Sequence, residues 1–387
     1  MAWGVKKVEE KRKQFILESR QDTVSISDLC LAYDISRTTA YKWLDRFEAE
    51  GEAGLSDRSR ARKTQTHQTP QEIIDLILKL KFKYSKWGAK KLKPKLEREF
   101  PDFDWPALST FNEILSKNGL IVPRKLRKRL PIRTTPLAHC GLPNDVWCAD
   151  FKGWFLTQNG EKCEPFTLTD GNSRFLLRCL QLHSNDEKHV WAVLDHAFRE
   201  YGLPLYLRTD NGPPFATCGA GRLSRLSVKL IKAGVMPDWI APGKPQQNGR
   251  HERMHQTLKS ETANPPQFNL ENQKIKLGEF REYYNFIRPH EALGQNTPSS
   301  IYHQSERKWN GRLISPEYDT DIKVGRVKSC GKLSFRGEEI YIARTLENEP
   351  VGLREVGNGV FEVSYGPIVL GVIDQFKKFH IPREKSR

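Results

Sequence analysis

At Asp145 the period of the sequence changes, and that switch restricts the chain to a helical front end followed by a sheet-containing middle. Upstream, capping residues and apolar positions recur at helical spacing. Downstream, Val146-Trp-Cys-Ala-Asp-Phe-Lys-Gly-Trp-Phe155, Pro165-Phe-Thr-Leu-Thr169 and Arg174-Phe-Leu-Leu-Arg-Cys-Leu180 are β-rich runs separated by Asn-Gly and Asp-Gly turn signals. These runs predict a meander. A helix is expected over Glu187–Tyr201, with Val190, Trp191, Leu194 and Phe198 on one face, and then a short strand Leu205–Thr209 ending at Asp210-Asn-Gly. Strands, a helix and a return strand imply an α/β sheet, in which functional groups gather at strand ends.

The helical front end reads as two units. Residues 6–19 are polar with sparse apolar positions, and a second helix follows Val24 with Ser27 as its expected cap. Ser36 caps a third, on which Ala40, Trp43, Leu44 and Phe47 fall at i, i+3, i+4 and i+7. Arg37, Thr38, Tyr41, Lys42 and Arg46 then face outward, as on a helix-turn-helix whose last helix enters a major groove. Thr69-Pro-Gln-Glu72 opens another helix, Pro94 is expected to kink or break the basic segment 87–98, and Thr110-Phe-Asn-Glu113 caps a helix that stops at Gly119. This is a second helix-turn-helix candidate. Between Pro123 and Pro131, Arg124, Lys125, Arg127, Lys128 and Arg129 form a stiff basic stretch suited to lie along phosphates.

A formal charge of +16 implies a polyanionic partner, nucleic acid or an acidic membrane surface. Residues 1–143 hold 29 Lys+Arg against 18 Asp+Glu, so +11 of the excess lies in the helical part. No stretch approaches the roughly 18 apolar residues of a membrane span, and the N-terminus lacks an apolar signal run. The expectation is a soluble cytoplasmic protein without a membrane partner. Seven scattered cysteines without a Cys-x-x-Cys pair argue against a disulfide framework or structural zinc.

Asp150 lies in the first strand, Asp210 at the tip of the later one, and Glu252 where the turn-rich Gly243-Lys-Pro-Gln-Gln-Asn-Gly gives way to a polar helix. On that helix Asn248, Glu252, His255 or Gln256, and Lys259 share a face. Three acids on separate elements suit phosphoryl transfer, because hard divalent cations take oxygen ligands and two of them steady the attacking and leaving oxygens. Among 47 acidic residues, however, three do not by themselves single out a site.

The segments Trp147-Cys-Ala-Asp-Phe-Lys-Gly153, Thr209-Asp-Asn-Gly-Pro-Pro-Phe215, Gly243-Lys-Pro-Gln-Gln-Asn-Gly-Arg-His-Glu-Arg253 with Thr257-Leu-Lys259, and Tyr284-Asn-Phe-Ile-Arg-Pro-His-Glu-Ala-Leu293 with Thr297-Pro298 carry a family resemblance. Together they resemble the integrase-core (DDE) transposases of bacterial insertion sequences, most closely insertion-sequence family 481, related also to retroviral integrases. The resemblance implies an RNase-H-like core in which Asp150, Asp210 and Glu252 are catalytic and bind two Mg²⁺ ions, with Mn²⁺ as a substitute. It places Lys259 near DNA at the cleaved end. It further implies double-stranded DNA partners (element ends and target), at least a dimer on DNA, and a nucleoid-associated location. Forty-one residues separate Asp210 from Glu252, more than in many relatives, so 216–226 should form an added loop or helix. Asp170-Gly-Asn-Ser-Arg174 reads as a turn that orders the sheet, and His290 as a structural group rather than a DNA contact.

Residues 320–383 alternate in five or six short strands, the pattern of a small antiparallel β-barrel. The expected organisation is therefore 1–56 helix-turn-helix, 57–68 basic linker, 69–121 second helix-turn-helix-like domain, 122–143 basic linker, 144–310 RNase-H-like core with C-terminal helices, and 318–387 barrel.

Overall fold

The structure is a computed structural model that describes residues 5–21, 24–59, 69–121, 139–241 and 249–382. The chain divides into two compact units, 1–70 and 71–387. The expected basic stretch Arg124, Lys125, Arg127, Lys128 and Arg129 lies outside the described residues.

The first unit holds α1 (Val5–Ser19), α2 (Ile26–Ala32) and α3 (Arg37–Glu50). Phe15, Ile16, Leu29, Ala40, Trp43 and Leu55 form its core. Ser36 caps α3 as expected, accepting from the Thr39 amide. The cap of α2 is Ser25 and not Ser27: helical geometry begins two residues earlier, at Ile26, and the Ser25 hydroxyl accepts from the Asp28 amide. Arg37, Thr38, Tyr41 and Lys42 are exposed on α3, whereas Arg46 is half-buried, its guanidinium 5.0 Å from the Trp43 ring.

In the second unit, α4 (Gln71–Lys83), α5 (Ala89–Glu99) and α6 (Leu108–Lys117) pack around Ile77, Trp87, Leu92, Leu96 and Phe111. Pro94 does not break α5. The hydrogen bond it forfeits belongs to the carbonyl of exposed Lys90, while fully buried Leu92 and Leu96 hold the helix on both sides. Nor does Thr110 cap α6. The helix starts at Leu108 after Ala107, without a side-chain cap. Gly119 ends it at φ +66°, a conformation that favours glycine.

The core sheet is built from β1 (Val146–Phe151), β4 (Pro165–Asp170), β5 (Leu176–Gln181), β6 (Tyr206–Thr209) and β7 (Met236–Trp239). A hairpin of β2 (Phe155–Leu156) and β3 (Lys162–Cys163) is inserted after β1. The strand order is β5-β4-β1-β6-β7, with β1, β4 and β5 antiparallel as the expected meander and β6 and β7 parallel to β1. On one face α7 (Glu187–Tyr201) and α8 (Arg225–Lys232) bury Leu194, Phe198, Leu226 and Leu230 against Trp147, Leu168 and Leu207. On the other, α9 (Gly249–Thr262) and α10 (Leu270–Glu282) bury Met254, Leu258, Leu277 and Phe280 against Leu176 and Cys179. This is the RNase-H-like arrangement, and the expected addition before α8 is a short 3₁₀ turn at Ala220–Arg222. Asp170 is the sheet-ordering residue: its buried carboxylate accepts from the amides of Asn144 and Ser173 and from the Ser173 hydroxyl, at 2.6–2.7 Å.

The C-terminal part consists of β8 (Lys323–Arg326), β9 (Lys332–Phe335), β10 (Glu338–Tyr341), β11 (Pro350–Gly357), β12 (Val360–Tyr365), β13 (Ile368–Ile373) and β14 (Phe379–His380). A five-stranded antiparallel sheet, β14-β13-β12-β11-β8, meets the β9–β10 hairpin through a bridge between Val327 and Leu333. Glu349 joins this part to α8, accepting from Lys232 (2.5 Å), Ser315 (2.7 Å) and Tyr365 (2.9 Å). No helix among the described residues is long and apolar enough to cross a membrane.

Candidate active site

The parallel pairing of β1 with β6 aligns Val146 with Tyr206, Trp147 with Leu207 and Cys148 with Arg208. Two residues further along each strand come Asp150 and Asp210, so both stand at one level. Side chains alternate along a strand, and Asp150 therefore shares the face of Cys148 while Trp147 and Ala149 enter the opposite core. Asp150 is half-buried. Asp210 follows directly on β6, and its Oδ1 accepts from the Gly212 amide at 3.2 Å, so it also shapes the Asp-Asn-Gly turn.

Helix α9 crosses the Asp150 face. His251, Met254, His255 and Leu258 point into the protein, whereas Glu252, Gln256 and Lys259 are exposed. The face shared by Glu252 thus continues to Gln256 and Lys259 and does not include His255. Asn248 lies outside the described residues.

One hydroxyl organises the buried side of the helix. Thr167, paired with Asp150 across β4, lies 3.1 Å from the Asp150 carbonyl and 2.7 Å from Nε2 of both His251 and His255. A threonine hydroxyl has one proton to donate and two lone pairs. That proton can go to the carbonyl or to one imidazole, so at least one of the two rings donates to the hydroxyl from Nε2. The Nδ1 of His251 lies 3.1 Å from Thr169 Oγ1, which is itself 3.5 Å from the Cys148 carbonyl. The Nδ1 of His255 faces Asp150 Oδ2 at 3.9 Å. Burial pushes His251 down to about 3 and His255 to about 2, the latter helped by His251 and Lys152 nearby, so both rings are neutral.

Among the described residues, Asp150, His251 and His255 are the group of three potential metal ligands whose donor atoms lie within 4.8 Å of one another. Asp210 and Glu252 do not join Asp150 in such a group.

Residues 142–245 match a sequence profile described as an integrase core domain, and 233–298 match a second profile of that description. Residues 11–63 match a helix-turn-helix domain and 39–115 a homeodomain-like domain. An integrase core domain is thus recognised over residues 142–298 of the chain. Among its relatives is the insertion element IS407 uncharacterized 31.7 kDa protein of Burkholderia multivorans, 31% identical over 185 residues. That match takes in 47% of this chain and 64% of the relative, just under two thirds of its length. Transposase InsD for insertion element IS2-9 of Escherichia coli is 26% identical over 326 residues, 80% of this chain and 97% of the relative. The HTLV-2 integrase catalytic core domain in complex with magnesium is a similar solved structure, at 18% identity and TM-score 0.33, covering 42% of this chain and 99% of that one.

Within this integrase core, the strands bring Asp150 and Asp210 to one level, and α9 presents Glu252 and Lys259 on its exposed side. The sequence reading missed the Thr167, Thr169, His251 and His255 cluster. Its trace was available as His251-Glu-x-x-His255, a four-residue spacing that puts both rings on one helical face. The hydroxyls that meet them come from a strand over 80 residues earlier, which only the fold reveals. His290, expected to be structural, has Nε2 3.3 Å from the Tyr284 carbonyl and its ring edge-on to Tyr284.

Proposed function

We propose that the chain is a DDE-type DNA transposase that binds the inverted-repeat ends of its element, nicks a strand there and joins the freed end to target DNA. The observation that carries this reading is the parallel register of β1 and β6 in an integrase core, which brings Asp150 in β1 level with Asp210 just past the end of β6. The helix-turn-helix unit supports it with Arg37, Thr38, Tyr41 and Lys42 exposed on α3 for groove and phosphate contacts. Lys259, on the exposed side of α9 with Glu252, is suited to a phosphate near the cut.

Asp150 and Asp210, with Glu252, would hold divalent cations, Mg²⁺ or Mn²⁺; their carboxylate oxygens are the donors such ions prefer. When bound, these ions supply positive charge at the attacking and leaving oxygens. Water adds to the phosphorus and the P–O3′ bond breaks, leaving a 3′-hydroxyl and a 5′-phosphate. That hydroxyl then displaces a 3′-oxygen of target DNA, so one phosphodiester replaces another without a protein–DNA bond. Acting on two ends requires at least a dimer on DNA, and the host DNA places the protein in the bacterial cytoplasm.

The test incubates the full chain with labelled end DNA and Mg²⁺ or Mn²⁺, comparing wild type with Asp150→Asn, Asp210→Asn and Glu252→Gln. Metal-dependent nicking and joining, lost in all three variants while end binding persists, is the expected result. Cleavage unchanged in any variant would remove that residue from the triad.

A further inference from the structure

The His-Glu-x-x-His spacing on α9 matches a helix-borne zinc motif in which two histidines share an ion. The hydrogen bonds argue against that use. Both nitrogens of His251 lie within hydrogen-bond distance of threonine hydroxyls, Nε2 of Thr167 and Nδ1 of Thr169, so a metal at either nitrogen would have to displace one of them. His255 differs. Its Nε2 lies 2.7 Å from Thr167, which turns Nδ1 toward the Asp150 carboxylate. At 3.9 Å the two are too far apart for a direct hydrogen bond and close enough to share a cation. A cation about 2.0–2.2 Å from each of two ligand atoms bridges a gap of up to about 4.3 Å. The gap therefore suits a shared ion without displacing helix or strand.

We propose that His255 Nδ1 is a ligand, together with Asp150, of the cation held at this centre. It is a nitrogen donor in a site otherwise composed of carboxylates, and it shifts preference from Mg²⁺ toward borderline ions, Mn²⁺ first. Imidazole suits such ions, whereas Mg²⁺ is bound through oxygen. Thr167 is the positioning residue, because its hydroxyl engages Nε2 of His255 and leaves Nδ1 turned to Asp150. The inference rests on the metal-dependent reading above and adds one ligand to it.

The experiment is pulsed electron paramagnetic resonance on the full, tag-free chain loaded with one equivalent of Mn²⁺, reading spin-echo modulation from directly bound ¹⁴N. The expected result is a ¹⁴N coupling in the wild type that vanishes in His255→Gln and in Asp150→Asn. Titration calorimetry should show the Mn²⁺-over-Mg²⁺ preference falling about tenfold or more in His255→Gln, the scale on which changes around metal ligands act. Bound Mn²⁺ without ¹⁴N coupling in the wild type overturns the proposal and needs no variant to fold. Coupling that persists in His255→Gln overturns it as well. Mn²⁺ binding untouched by Asp150→Asn would instead remove the metal centre itself, and the His255 proposal with it.

Discussion

At the scale of single residues, Thr167 is the clearest case of one atom deciding the state of several others. Thr167→Val keeps the shape of the side chain but leaves two buried imidazole nitrogens without their hydroxyl partner, each costing about 1–3 kcal/mol. Thermal unfolding should show a large drop for Thr167→Val and a small one for Thr167→Ser, which retains the hydroxyl; equal drops would mean that packing, not hydrogen bonding, is at stake. His290 makes a second prediction. Burial holds it down to about 4, against an ordinary value of 6.5. Between those values the unfolded chain binds the extra proton, so this group's contribution to stability is lost as pH falls from about 6.5 toward 4. Compared with His290→Gln, the wild type should lose about 1.5 kcal/mol more between pH 6.5 and 5 in urea unfolding. Parallel pH profiles would show that the ring is not buried in its neutral form.

At the scale of elements, the sequence was most legible where local chemistry and tertiary demand coincide. Helix α7 occupies the expected residues because its apolar period matches the face it buries. It was least legible at caps and at proline. Ser25 and Ser27 are both acceptable caps, and only the packing of Leu29 and Cys30 selects the first. Pro94 is tolerated because Leu92 and Leu96 outweigh one missing hydrogen bond. Pro94→Ala should therefore stabilise α5 by about 1 kcal/mol or more, read as a rise in unfolding midpoint. No gain would indicate that the Lys90 carbonyl is already well satisfied by water. For the candidate site the pattern was similar. Asp150 and Asp210 were found from strand ends and family motifs, but which way His255 faces depended on α9 docking against β4.

At the scale of the whole molecule, Glu349 couples the C-terminal sheet to the core through a half-buried pair with Lys232 and two hydroxyl donors. Glu349→Ala strands that lysine and both donors, with an expected loss of about 3 kcal/mol. Calorimetry should then resolve an earlier transition for the C-terminal part, whereas a single unshifted transition would show the joint to be dispensable. The net charge of +16 bears on the same scale: DNA affinity should fall steeply and linearly on logarithmic axes as salt rises, because phosphate contacts release counterions. A flat salt dependence would contradict a phosphate-dominated interface. The pairing of β1 with β6 has a wider consequence. Because ladder hydrogen bonds set the level of Asp150 against Asp210, the hairpin, turn and helix threaded between them are free to lengthen or shorten over evolutionary time while the two acids stay side by side. A slip of one residue within either strand is a different matter, since it would turn one acid to the opposite face. Lineages of this fold should accordingly accumulate insertions in the connections and almost none inside the two strands.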